Sequence, residues 1–134
     1  MRGYLLDTNH LSAAIRPVAP IRDHLAEAKR NGFRLGTCWP VLCEIEAGIE
    51  QTARPAQYRT TLDRVLKRVR IWPVDRSIAR QFGQLHVELA RRGRALSHAD
   101  RVLASLARQL GVIMLTTDRD FEALPDIRTE NWLE

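Results

Sequence analysis

Asp7, Glu44, Asp100 and Asp118 are the side chains of this sequence whose type and placement could do chemistry together. Each also has a purely local reading. Asp7 closes the apolar run Tyr4-Leu5-Leu6 and begins Asp7-Thr8-Asn9, so it either caps the short helix that follows or stands ready at a strand end. Glu44 lies in a helix that opens at Pro40. Val41, Leu42, Ile45, Gly48 and Ile49 define the apolar face of that helix, with Glu46 and Glu50 opposite. Glu44 falls on the border, where a carboxylate needs a partner or must reach outward to water. Asp100 belongs to Ser97-His98-Ala99-Asp100, which reads as a capping box with Asp in place of Glu. It also lies one turn before Leu103 and Ala104, on the inward side. Asp118 sits in the turn Thr116-Thr117-Asp118-Arg119-Asp120-Phe121, with Asp120 as a rival for its role and Phe121 as the inward anchor.

What the four share is position near the ends of strands and the starts of helices. Carboxylates converging there repel one another and raise their own pKa values, and a divalent cation relieves the repulsion. Mg²⁺ suits such a site because it is hard, prefers oxygen, keeps several waters and binds through few carboxylates plus substrate phosphate. No His or Cys spacing suggests zinc.

The elements that must position these acids follow from periodicity. Strand candidates are Tyr4–Leu6, Phe33–Thr37, Arg70–Val74, Val112–Leu115 and Ile127–Thr129. Helix candidates are Ile21–Arg30, Pro40–Thr52, Ala56–Val69, Ser77–Arg92 and His98–Leu110, the last ended by Gly111. Strands alternating with helices predict an α/β fold built on a parallel sheet with helices on both faces, and a working site outside the carboxyl ends of the strands. With 134 residues and no repeat or linker, one domain over residues 1–134 is expected.

Composition narrows the class further. The chain is 45% hydrophobic with no apolar run near the ~20 residues that cross a bilayer, and Asp7 interrupts the start before any signal core could form. A cytoplasmic protein with no membrane association is expected. Cys38 and Cys43 are too close for an unstrained disulfide and read as buried free thiols. A net charge of +5, carried almost wholly by Arg, points either to a polyanionic partner or to solvated Arg-rich faces.

Taken in order, the motifs resemble those of PIN-domain ribonucleases. Leu5-Leu6-Asp7-Thr8-Asn9 resembles the opening motif, Glu44-Ile45 with Gly48 the second-acid motif, Asp100-Arg101-Val102-Leu103-Ala104 the third, and Thr116 to Phe121 the fourth. Ile127 to Trp132 is similar to the closing segment of bacterial VapC-type toxins, so the resemblance spans Tyr4 to Trp132. Trp39-Pro40 departs from the Ser/Thr-rich stretch common in the family. The resemblance implies a three-layer α/β/α sandwich with a central parallel sheet of four to five strands. It implies Mg²⁺ or Mn²⁺ as cofactor and hydrolysis of RNA, with tRNA as a family-level expectation. It also implies a homodimer held inactive by a cognate antitoxin, as in type II toxin–antitoxin pairs.

On this basis Asp7 and Asp100 are expected to bind the metal most directly, with Glu44 and Asp118 acting directly or through water. Thr8, Asn9 and Thr116 would orient water or phosphate, or else serve as local caps. Arg91-Arg92-Gly93-Arg94 is the candidate RNA-backbone patch, or else a solvated helix end. A haloacid-dehalogenase-type phosphotransferase is disfavoured, because Asn9 stands where that chemistry needs a second Asp. The remaining rival is a non-catalytic RNA- or protein-binding module on the same fold.

Overall fold

The apolar run that ends at Asp7 folds as strand β1 (Gly3–Leu6), hydrogen-bonded to a neighbour on each side. The computed structural model describes residues 2–133. Within them the chain runs β1, α1 (Thr8–Ala14), α2 (Ile21–Arg30), β2 (Arg34–Thr37), α3 (Trp39–Glu50), α4 (Pro55–Val65), β3 (Arg70–Ile71), α5 (Arg76–Arg91), α6 (His98–Leu110), β4 (Ile113–Leu115), a 3₁₀ turn (Arg119–Ala123) and β5 (Thr129–Glu130).

All pairings among the described strands are parallel, and the order across the sheet is β3-β2-β1-β4-β5. The sequence winds outward from β1 to β3 on one side, then returns to place β4 and β5 on the other. The order therefore reverses between β1 and β4, and the carboxyl ends of those two strands are where sheets of this kind hold their ligands. Leu5 and Leu6, whose side chains point to opposite faces of the sheet, are both essentially inaccessible. That double burial is what a parallel sheet covered on both sides requires, and the result is a three-layer α/β/α fold. Each such leucine stabilises the fold by roughly 1.5–3 kcal/mol relative to an exposed one.

Local chemistry fixes the element ends. Ser97 caps α6 by accepting a hydrogen bond from the Asp100 amide at 3.1 Å, and Gly111 ends the helix in the left-handed region at φ 69°. Val102, Leu103, Leu106 and Ala107 form a buried stripe of α6, and α5 packs beside that helix, with Phe82 under Arg101 and Glu88 bonded to Arg108. β3 is only two residues long, not the five expected from Arg70 to Val74. Pro73 has no N–H to give to a ladder, so pairing stops before it. The helix expected over Ala56–Val69 ends earlier, at Val65, and the last strand is shifted to Thr129–Glu130.

Two further expectations are corrected. Cys38 is a buried free thiol, but Cys43 is exposed. On α3 the buried stripe is Val41, Ile45 and Ile49; Gly48 and Glu44 are exposed, because each lies one residue, about 100° of rotation, before a stripe position. Among the described residues no helix is long and apolar enough to cross a membrane.

Candidate active site

The β1/β4 edge receives acids from four elements. Asp7, the first residue after β1, is 4% exposed and caps α1. Its amide donates to Leu115 O at 3.1 Å, which ties the end of β1 to the end of β4. Asp118 follows β4 and caps the 3₁₀ turn by accepting from the Asp120 amide at 2.8 Å. Asp100 is half-buried in the first turn of α6. Glu44, on α3 after β2, accepts a hydrogen bond from the Thr8 hydroxyl. That bond draws an exposed carboxylate back to the start of α1, beside Asp7.

The electrostatics record the convergence. Burial above all, and then the charges of Asp7, Asp118 and Glu44, push the Asp100 carboxyl from 3.8 up to about 6, while a hydrogen bond with Ser97 pulls it the other way. Cys38, at the foot of α3, is pushed up to about 12, first by burial, with the Asp100 and Glu44 carboxylates adding to it. A buried thiol in that range is inert as a nucleophile.

Of the two rival aspartates, Asp118 acts on Asp100, whereas Asp120 pairs with Arg94 at 3.0 Å. Arg91, Arg92 and Arg94 are all exposed on the stretch that leads into α6. Phe121 is 2% exposed, the inward anchor expected of it. The three small polar candidates all have hydrogen-bond partners, two of them far along the chain. Thr8 holds Glu44, Asn9 Nδ2 donates to Thr117 Oγ1 at 3.0 Å, and Thr116 Oγ1 accepts from the Asp118 amide at 3.1 Å. Thr116 is thus a turn brace that sets the direction of Asp118.

One participant escaped the sequence reading. His10 lies one helical turn beyond Asp7, with its ring Nδ1 2.8 Å from Asp7 Oδ1. The spacing Asp-x-x-His at a helix start was the available signal, since residues three apart share a face.

Among the described residues no three His, Cys, Asp or Glu side chains form a ready-made metal cage. The donor set nevertheless fits a hard divalent cation. It is all oxygen, it is crowded with negative charge, and Mg²⁺ completes its shell with water and phosphate. A groove of about 280 Å³ runs from Thr8, Asn9 and Glu44 to Tyr58, and another of about 530 Å³ passes Asn9, Thr117 and Trp132. Both therefore lead away from the acid cluster along α1.

The fold is one shared with known proteins. The family model described as "PIN domain" matches residues 4–127. The chain is 29% identical, over 98% of its length and 99% of the relative's, to a "tRNA(fMet)-specific endonuclease VapC" of Shigella flexneri. Its fold is similar to that of VapBC2 from Rickettsia felis solved with a DNA fragment from their promoter, with a TM-score of 0.86 and 26% identity over 98% of this chain and 99% of that one. It is also similar to VapBC-5 of Mycobacterium tuberculosis, a member of a family of toxin-antitoxin systems, with a TM-score of 0.71 and 26% identity over 97% and 98% of the two chains.

Proposed function

The chain belongs to the PIN-domain family, and on that premise we propose that it is a Mg²⁺-dependent endoribonuclease, the toxin of a toxin–antitoxin pair. The observation that carries the reading is the half-buried Asp100, whose carboxyl is raised by burial and by the charges of Asp7, Asp118 and Glu44, beside the β1/β4 edge where the strand order reverses. Relatives named as VapC endonucleases support the reaction class, and tRNA is the substrate their names favour. Neighbours solved as VapBC complexes support an antitoxin partner. A homodimer and Mn²⁺ as an alternative to Mg²⁺ belong to the same proposal.

Asp7 and Asp100 would hold the cation, with Glu44 and Asp118 holding it or its waters. Bound there, a divalent cation supplies an acidified water and neutralises charge on the scissile phosphate. The chain's own groups do the rest. Thr8 keeps Glu44 turned toward Asp7, and Thr116 keeps the Asp118 turn in place. Burial first, and then the neighbouring carboxylates, raise the Asp100 carboxyl, and a cation bound there would relieve that cost. Arg91 and Arg92 are exposed cations that would meet RNA phosphates near α6, while Arg94 is shared with Asp120.

The test is incubation of the purified chain with total cellular RNA and Mg²⁺, with 5′ ends mapped. New ends that vanish with EDTA and in Asp7→Ala are expected. Intact RNA across a range of protein concentrations, or cleavage unchanged in Asp7→Ala, would overturn the reading.

A further inference from the structure

Behind Asp7, inside α1, His10 is fully buried, and yet both of its ring nitrogens have polar partners. Nε2 accepts the backbone N–H of Trp132 at 3.1 Å. A backbone N–H can only donate, so Nε2 is the bare nitrogen and the ring proton sits on Nδ1. From there it donates to Asp7 Oδ1 at 2.8 Å. The same oxygen accepts the His10 amide, also at 2.8 Å. Two donors fix the rotation of the carboxylate, and the described hydrogen bonds leave Asp7 Oδ2 unused. Trp132 is itself held, its ring 4.7 Å from that of Tyr4 in β1 and 5.6 Å from that of His24 in α2.

We propose that His10 is a positioning residue: its buried ring, oriented by the Trp132 backbone, clamps Asp7 Oδ1 so that Oδ2 is presented to the divalent cation. The inference rests on the metal site proposed above. A buried histidine that merely satisfies its own polarity would leave metal affinity untouched. One that orients a ligand should change it, since hydrogen-bond partners behind metal ligands are worth roughly 10–100-fold in affinity.

The experiment is calorimetric titration of the full chain with Mn²⁺, comparing wild type, His10→Asn and His10→Leu. The Asn amide nitrogen stands close to where Nδ1 stands and retains the donor, while Leu fills the space without one. His10→Leu should weaken Mn²⁺ binding roughly tenfold or more, and His10→Asn should recover most of it. Wild-type affinity in His10→Leu, or equal loss in both variants, would overturn the role. Nitrogen-15 NMR of the wild-type ring supplies a reading that does not depend on the variants folding: protonated Nδ1 and bare Nε2 are expected, and the reverse tautomer overturns the proposal. A wild-type chain that binds no Mn²⁺ overturns the metal site and the proposed function together. Normal binding in His10→Leu removes only the role of His10.

Discussion

Replacing Asp100 by Asn should stabilise the metal-free protein and remove its stabilisation by metal. Burial and the neighbouring carboxylates raise the Asp100 carboxyl from 3.8 to about 6. Between those values the folded chain holds a proton that the unfolded chain has released. Stability contributed by the neutral carboxyl is therefore complete below the lower value, falls as pH rises through the upper one, and is gone above it. A rise of roughly two pH units corresponds to about 3 kcal/mol without screening. The carboxyl is only half-buried, and solvent screening reduces the expected effect to about 1–2 kcal/mol. In EDTA at about pH 8, urea unfolding of Asp100→Asn should show a higher midpoint than wild type with the same slope, and the two proteins should converge at about pH 4. In excess Mg²⁺ only the wild type should gain stability, because binding to the folded state alone adds free energy. An Asn variant no more stable than wild type in EDTA at that pH would refute the reasoning, because the raised carboxyl would then carry no cost in the fold.

Three further outcomes follow from single contacts. Asp118→Asn should lower RNA cleavage by at least roughly tenfold, whereas Asp120→Asn, which loses only the exposed pair with Arg94, should leave Mn²⁺ affinity unchanged; calorimetry beside a cleavage assay separates the two. Arg108 donates to Asp126 at 2.8 and 3.0 Å and to Glu88 at 2.5 Å, joining α6 to α5 and to the loop before β5. Arg108→Ala should cost about 1–3 kcal/mol in denaturant unfolding. Because Arg108 holds the Asp126 carboxyl below its usual range, that loss should shrink as pH falls and the carboxyl is protonated. Gly36→Ala would set a Cβ 2.0 Å from Trp72 Nε1 and 3.2 Å from Arg70 O. It should lower stability by roughly 1–3 kcal/mol, and Trp72→Ala in the same chain should recover part of the loss.

What the sequence could disclose depended on the range of the interactions involved. Helices α2 and α6 have the bounds their periodicity indicates, because the signals are local: an apolar stripe after Pro20 for α2, and a stripe, the Ser97 cap and terminal Gly111 for α6. The composition of Arg70 to Val74 predicts a longer β3, and the missing donor of Pro73 outweighs it. Asp100 lies on the inward side, as the neighbouring Leu103 and Ala104 indicated. Glu44 does not lie at a buried border. It reaches the acid cluster through Thr8, a contact across 36 positions that no helical period encodes. Asp120, the rival of Asp118, is paired with an arginine 26 positions away, a contact that no local spacing encodes. His10 remained hidden for a similar reason: its proton is fixed by a backbone group 122 positions away.

The bond from the Asp7 amide to Leu115 O has a consequence for how this protein breathes. β1 is paired on both sides, whereas β3 and β5 are two residues each and lie at the sheet edges. Amide exchange at the edges can proceed through local fraying, but freeing the Asp7 amide requires β1 and β4 to part. The amides of Leu6 and Asp7 should therefore exchange at a rate set by global unfolding. Fluctuations that loosen the rim would leave the acid cluster assembled, so the protein should lose its site only when it loses its fold.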